Sequence, residues 1–201
     1  KQVKMKKWLI PLIIVGVIVF AIYRMGVGFY NTAVDLEQNS KTAWSNVESA
    51  YQRRADLIPN LVSTVKGYAA HEKETLEGVI KARAEATKTT IDPTNITPEN
   101  MAAFQKAQEG LSGALSRLLV TVERYPELKA NQNFLELQSQ LEGTENRINV
   151  ERNRYNSEVN LFSKHIKKFP NNILNGFIGN FNEMARYEAA AGSDVAPKVE
   201  F

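Results

Sequence analysis

Two adjacent residues, His71 and Glu72, could begin a zinc-protease motif. In that motif a second histidine follows the first by four positions, so that both imidazoles lie on one helix face and bind the metal. Here the residue at that position is Thr75, and the only other histidine is His165. We therefore interpret His71 as a partly exposed helix residue. Because the chain contains no cysteine, thiolate metal sites, thiol catalysis and disulfides are excluded.

Other motifs for catalysis or ligand binding are also missing from the sequence. It has no glycine-rich phosphate loop and no nucleophile elbow. The stretch Asp92-Pro93-Thr94-Asn95 carries too few oxygen ligands for a calcium loop. We therefore expect no catalytic residues, no bound metal and no cofactor, and we predict that the protein is not an enzyme.

A group of charged residues on or beside the apolar helix stripes is the remaining candidate for a site. Its members are Arg53, Arg54, Glu72, Arg83, Glu145, Arg147 and Arg152. A buried charge without a partner is costly, so we expect these residues to pair with one another. We interpret them as an ion-pair layer that sets helix register, in which a leucine at Glu145 or Arg152 would destabilise the bundle. A ligand-binding or proton-linked site and simple surface exposure are the alternatives.

The elements that must position this layer are four segments with apolar residues at heptad spacing. Segment A contains Tyr30, Trp44, Tyr51 and Ile58; segment B contains Val62, Ala69 and Leu76; segment C contains Phe104, Leu111, Leu118 and Tyr125; segment D contains Phe134, Leu141, Ile148, Tyr155, Phe162 and Phe169. Such spacing is typical of helices that pack along their length. It predicts an all-α fold: an N-terminal transmembrane helix followed by an antiparallel four-helix up-and-down bundle with long helices and an irregular C-terminal tail.

Prolines and capping residues predict where these helices begin and end. Pro59 falls between segments A and B, where we favour a chain reversal over a kinked rod because a reversal would bury all four stripes. Thr97 and Pro98 predict the cap and first residue of segment C. Asn133 is expected to cap segment D, which would end near Lys168.

Five glycines fall inside the predicted helices, where each costs about 1 kcal/mol relative to alanine. They are Gly67, Gly78, Gly110, Gly113 and Gly143. We attribute them to close approach between helices.

The chain opens with lysines followed by the apolar run Trp8–Tyr23. Residues 1–29 are therefore expected to form a membrane anchor, with its contacts to the lipid bilayer made by Trp8, Leu9, Ile10, Ile13, Ile14, Phe20 and Tyr23. A cleaved signal peptide is the alternative, but no small-residue cleavage site follows the run. The lysines predict that the N-terminus faces the cytoplasm and that the bundle, residues 30–169, lies outside it.

The net charge of the chain is only +3. Without Lys1, Lys4, Lys6 and Lys7 the rest of the chain is close to neutral, so the charge does not predict binding to nucleic acid. Met5 resembles a natural start, and whether residues 1–4 are native is left open.

Several strings of residues resemble the LemA family. They include Gln52-Arg53-Arg54-Ala55-Asp56-Leu57-Ile58-Pro59-Asn60-Leu61-Val62, Glu123-Arg124-Tyr125-Pro126-Glu127-Leu128 and Leu141-Glu142-Gly143-Thr144-Glu145-Asn146-Arg147-Ile148. The match extends from Tyr30 to about Phe181; Val150-Glu151-Arg152-Asn153 departs from it, and the tail after Asn182 follows it only loosely. The resemblance implies a single-pass protein of the bacterial cytoplasmic (inner) membrane with an extracytoplasmic helical bundle, and it implies no established activity.

The C-terminal tail, residues 170–201, is partly apolar. Together with the end of the bundle it offers candidate oligomer or membrane-surface contacts at Phe169, Ile173, Leu174, Phe177, Ile178 and Phe181. We therefore favour a homo-oligomeric scaffold or adaptor of the cell envelope, which would self-assemble through its heptad-patterned helices and this apolar tail. The alternatives are a regulatory partner of a membrane protease or other envelope enzyme, and a more remote enzyme or ligand binder that uses the Glu/Arg layer of segment D.

Overall fold

The computed structural model describes residues 8–188, and within this range it contains helices and no strand. The elements are α1 (Leu9–Tyr68), α2 (Lys73–Lys88), α3 (Pro98–Val122), α4 (Pro126–Lys129), α5 (Gln132–Lys167) and α6 (Asn171–Leu174), followed by a π-helical turn at Asn175–Gly179. The lysines before Trp8 and the end of the tail after Glu188 lie outside the described residues. The predicted all-α class is confirmed.

Helix α1 runs for 60 residues without interruption, from the apolar N-terminal run into the bundle. Pro59 lies inside this helix, so the predicted reversal at Pro59 is wrong. The chain instead reverses at Ala69–Glu72, ten residues later. Among the described helices, α1 is the one long and apolar enough to cross a membrane, and its apolar N-terminal window is not buried by any other part of the described chain.

The four long helices alternate in direction as an up-and-down bundle. Helix α5 lies antiparallel to α1 along most of its length, since Asn131 bonds to Tyr68 at one end and His165 lies 3.2 Å from the carbonyl oxygen of Phe29 at the other. Helix α2 packs back onto α1, and α3 packs against α2. The predicted four-helix topology therefore holds, although the first turn is not where the sequence suggested.

The aromatic residues of segment A are covered from three sides. Trp44 is fully buried and makes edge-to-face contacts with Phe104 of α3 and Tyr155 of α5, each at a centroid distance of 5.2 Å. Tyr51 packs on the same Phe104 ring. Ile91 and Ile96 from the loop between α2 and α3, and Tyr187 from the C-terminal tail, complete this cluster.

The tail after α6 returns along the bundle as an extended strip. The backbone N–H of Ala185 donates to the carbonyl oxygen of Ile96, just before α3. The side-chain amide of Asn156 on α5 bonds both the N–H and the carbonyl oxygen of Tyr187. The strip therefore closes the gap between α3 and α5 in the half of the bundle nearest the apolar N-terminal run.

Two helix starts test the capping predictions. Thr97 caps α3 in a reciprocal capping box with Asn100, with Pro98 in the first turn, as predicted. Helix α5 is capped by Asn131, whose side chain accepts from the N–H of Phe134 at 3.1 Å. The predicted cap at Asn133 is therefore wrong by two residues, because Asn131 has the extended backbone that a cap requires and Asn133 is already helical.

Candidate functional site

Arg54 is the centre of a polar network inside the bundle. Its side chain is 3% exposed. Its Nη1 donates to Glu145 Oε2 on α5 and to Ser112 Oγ on α3, both at 3.0 Å. Its Nη2 donates to the side-chain and main-chain oxygens of Gln108 on α3, at 2.9 and 3.3 Å. One guanidinium group thus ties α1 to both α3 and α5.

Gln108 extends this network to the fourth helix. Its Nε2 donates to the carbonyl oxygen of Ala86, in the last turn of α2. Carbonyl groups in the last turn of a helix have no N–H partner within that helix, so this carbonyl needs a donor from outside it. The network therefore links all four long helices through hydrogen bonds. The carboxylate of Glu145 is 49% exposed, so the pair lies at the edge of the core rather than within it.

The layer predicted from the sequence is not one continuous site. Arg83 contacts α1 rather than a carboxylate: its Nε donates to the carbonyl oxygen of Ala55 at 2.8 Å. Glu72 lies at the far end of the bundle, where it pairs with Arg124 at 3.0 Å and accepts from the Tyr125 hydroxyl. Arg53 is exposed.

The two arginines that the predicted layer places on helix α5, Arg147 and Arg152, also lie apart from Glu145. Arg147 pairs with the buried Glu151 one turn away, at 2.8 Å. Arg152 was expected to pair with Glu145, but its guanidinium instead lies over the ring of Tyr187, 3.7 Å from the ring centroid. The expected pairing failed because residues 145 and 152 are two helical turns apart on one helix and have different neighbours.

A second polar group lies where the tail meets the bundle. The hydroxyls of Tyr51 and Tyr187 share a hydrogen bond, and both rings are buried. Burial, with a smaller contribution from the Tyr51 phenol, raises the pKa of Tyr187 far above its usual value. Burial also raises the pKa of Tyr51 and of Tyr155, whose hydroxyl donates to the carbonyl oxygen of Ala185. These phenols therefore stay neutral and fix the tail strip in place.

Four of the predicted apolar contact residues of the tail, Leu174, Phe177, Ile178 and Phe181, lie beside the end of the apolar run in α1 and the residues that follow it. Phe181 packs on Phe29, Tyr30 and Phe162 at centroid distances of 5.6 to 6.2 Å. Leu174 also packs into this cluster. In contrast, Phe169, Ile173, Phe177 and Ile178 are exposed, with Phe177 at 81%.

A cleft of about 590 Å³ separates this segment from α1. Its walls are apolar and include Ile22, Gly26, Phe177 and Ile178. A Cβ atom placed on Gly26 would lie 3.4 Å from Cδ1 of Ile178, so the two segments approach closely at this point. The tail therefore reaches the part of α1 that continues directly from the apolar run.

The five glycines predicted to allow close helix approach do not do so. A Cβ atom at Gly67, Gly78, Gly110 or Gly143 would meet nothing within 4 Å, and one at Gly113 would meet only Arg117 of the same helix, at 4.0 Å. The prediction is wrong because a helical glycine can equally lie on an open face. Gly143 is notable among them, since it lines a groove between α1 and α5.

Comparison with known proteins identifies the family. The family model described as "LemA family" matches residues 43–201, which is most of the chain. The chain belongs to the LemA family. It is similar to the magnetosome proteins MamQ 1 and MamQ 2 of Paramagnetospirillum magneticum, at 26% identity over 82% of this chain and 66% of each relative. It is also similar to protein LemA of Metamycoplasma hominis, at 26% identity over 63% of this chain and 54% of that protein.

This LemA-family chain spans about two thirds of the length of the MamQ relatives and about half of the Metamycoplasma hominis protein. Within residues 8–188, no three His, Cys, Asp or Glu side chains come together in a group that could hold a metal ion.

Sequence reasoning missed two residues that the fold brings into contact with α1. His165 stacks on Phe29 at a centroid distance of 5.3 Å. Tyr187 lies in a tail whose irregular pattern gave no helical signal, so its burial against α1 and α5 was not predictable from periodicity.

Proposed function

We propose that this protein is a membrane-anchored, non-enzymatic scaffold or adaptor of the bacterial cell envelope. In this proposal α1 crosses the cytoplasmic membrane once, with the N-terminal lysines inside and the bundle outside. The observation that carries it is the continuity of α1, which passes from the apolar run to the core of the bundle with no loop between them. A protein built in this way couples its bundle directly to the membrane-spanning segment, with no flexible linker between them.

The length of α1 supports this arrangement. Twenty residues from Leu9 to Gly28 extend roughly 30 Å, which matches the hydrocarbon core of a bilayer. The helix from Phe29 to Tyr68 then extends about 60 Å farther. Arg24 lies near the end of the span, where a long basic side chain can reach the lipid headgroups.

The exposed tail residues support a second membrane contact. Phe177 and Ile178 lie beside Ile22 and Gly26, within the last turns of the span. We propose that their exposed faces lie in lipid at the outer interface, where apolar side chains are stabilised. Replacement of both by serine should reduce the fluorescence response of an environment-sensitive dye attached at residue 173 in vesicles. The dye on the unaltered chain provides the reference, and an equal response in both proteins would contradict the contact.

Self-association in this proposal uses the anchor and the tail rather than the heptad stripes. The stripe residues Trp44, Ile58, Leu118 and Ile148 are fully buried within one chain, so they are not free to contact a second copy. Light scattering of the full chain in an uncharged detergent should give a protein mass of at least two copies. A strictly monomeric mass would contradict the scaffold and favour the alternative, a regulatory partner of a membrane protease or another envelope enzyme.

Orientation has its own test. Protease added to intact spheroplasts should degrade the bundle, and spheroplasts lysed with detergent give the reference for complete digestion. Protection of the bundle in intact spheroplasts would reverse the proposed orientation.

A further inference from the structure

A groove of about 580 Å³ runs along the seam between α1 and α5. Arg53 and Arg147 stand in its walls, and no acidic side chain lines it among the described residues. Arg147 is 67% exposed and pairs through one nitrogen with Glu151, which lies buried below it. Arg53 is exposed and forms no ion pair with any residue between 8 and 188. The groove therefore presents unsatisfied guanidinium donors to solvent.

The remaining lining suits a peptide main chain. The side-chain amides of Asn46 and Gln140 line the groove and form no hydrogen bond within the described part of the chain. Each helix contributes about two turns of wall, a length of roughly 10 Å, which accommodates about three residues of extended chain. An open groove of this length fits a peptide segment better than it fits a single small anion.

Gly143 adds an observation that packing does not explain. It lies in the middle of α5, where glycine weakens a helix, yet a Cβ atom there would meet no heavy atom within 4 Å. The absent side chain leaves the helix backbone open to the groove. Glycine at such a position permits the close approach of another backbone.

The guanidinium groups of the groove call for a negatively charged ligand, and the distance of the groove from the proposed anchor indicates where such a ligand comes from. Residues 46–53 lie 18 to 25 positions beyond Gly28, which is about 27–38 Å along the helix. This is several times the Debye length of about 8 Å at physiological ionic strength, so lipid headgroups are out of reach. A protein segment outside the membrane that carries carboxylates would complement the charge of the two arginines and could reach the groove at this distance from the bilayer.

We propose that the groove between Arg53 and Arg147 binds an acidic peptide segment of a partner protein, with Gly143 admitting the main chain of the peptide. The carboxylates of the peptide accept from the two guanidinium groups, and its main chain bonds Asn46 and Gln140. This inference rests on the proposed adaptor function and specifies the chemistry of the partner.

Binding of a fluorescein-labelled hexaglutamate peptide to the full chain in uncharged detergent tests the proposal by fluorescence anisotropy. We expect saturable binding that weakens as sodium chloride rises from about 50 to about 300 mM. Arg53→Gln and Arg147→Gln should each weaken binding by about fivefold to tenfold. Arg117→Gln and Arg154→Gln, which remove exposed arginines elsewhere, should leave it within a factor of two. Equal losses in all four variants, or none in the first two, would overturn the proposal.

A pair of glycine variants separates peptide recognition from simple attraction of an anion. Gly143→Ala should weaken hexaglutamate binding at least threefold, whereas Gly110→Ala, at an equally open helical site outside the groove, should not. Competition by inorganic phosphate, together with no effect of Gly143→Ala, would mean a plain anion site and would overturn the peptide assignment. The copy number is measured in a separate experiment. A chain that self-associates but does not bind hexaglutamate would therefore contradict this inference without contradicting the proposed scaffold function.

Discussion

Arg83 donates a hydrogen bond from its Nε to the carbonyl oxygen of Ala55, 2.8 Å away. In an uninterrupted α-helix this carbonyl would accept from the N–H of the residue four positions later. That residue is Pro59, which has no N–H. The guanidinium of α2 therefore supplies, from outside the helix, the donor that the proline removes from within it. This bond accounts for a helix that continues through Pro59 and for the attachment of α2 beside it.

The first prediction tests this substitution of donors. Arg83→Met should lower the free energy of unfolding by about 1–3 kcal/mol, because it leaves the buried carbonyl of Ala55 without a donor. In a chain that also carries Pro59→Ala, the same replacement should cost less than half as much, since the backbone N–H of the introduced alanine would restore the intrahelical bond. Urea denaturation followed by circular dichroism measures both steps of the cycle. Equal costs in the two backgrounds would show that the bond to Ala55 is not the stabilising contact.

The second prediction concerns two adjacent arginines with different surroundings. Arg54→Met should destabilise the bundle by about 2–4 kcal/mol, because it removes the shared partner of Gln108, Ser112 and Glu145. Arg53→Met is the matched control and should change stability by no more than about 0.5 kcal/mol, as expected of an exposed position. Comparable urea midpoints for the two variants would contradict a central role for the Arg54 network.

The third prediction follows from the buried phenols. Burial raises the pKa of Tyr187 in the folded chain above its unfolded value of about 10. The folded state therefore holds this proton more tightly, and the resulting stability is fully present below about pH 10 and is lost as the pH rises further. Each such tyrosine contributes a slope of up to about 1.4 kcal/mol per pH unit.

Stability measured by urea denaturation between about pH 9 and about pH 11 checks this sign. The unaltered chain should lose stability steeply in this range, and Tyr187→Phe should lose it less steeply. A slope that is unchanged in Tyr187→Phe would mean that this phenol does not titrate with unfolding.

The fourth prediction compares two asparagines at the start of α5. Asn131→Ala should lower stability by about 1 kcal/mol, because its side chain accepts from the N–H of Phe134 and also donates to the Tyr68 hydroxyl. Asn133→Ala, two positions later on the exposed surface, is the matched control and should cost close to nothing. A larger thermal shift for Asn133→Ala would place the cap where the sequence suggested and contradict the observed helix start.

Heptad spacing identified the interior of the long helices well, because stripe residues such as Trp44, Ile148 and Tyr155 are buried. The stripe positions Tyr30 and Phe169 are exposed. It did not identify the position of the first turn. The rule that proline ends a helix considers only local donors, and here the missing donor comes from Arg83, 28 residues from Ala55.

The polar residues were harder still to assign. A stripe position predicts burial but not the partner, and for Arg152 the partner is an aromatic ring in the irregular tail. The groove beside Gly143 could not be predicted from the sequence, because glycine occurs in helices both at close helix contacts and on open faces.

The unbroken course of α1 has a mechanical consequence. If α1 crosses the membrane as proposed, this continuous helix transmits a change in the tilt of its apolar end to its distal end. Transmembrane helices adjust their tilt to the thickness of the surrounding bilayer. With about 60 Å of helix beyond the span, a tilt change of about 10° would sweep the Tyr68 end sideways by roughly 10 Å. A change in bilayer thickness would then shift the position of the distal end of the bundle, and of any partner bound there.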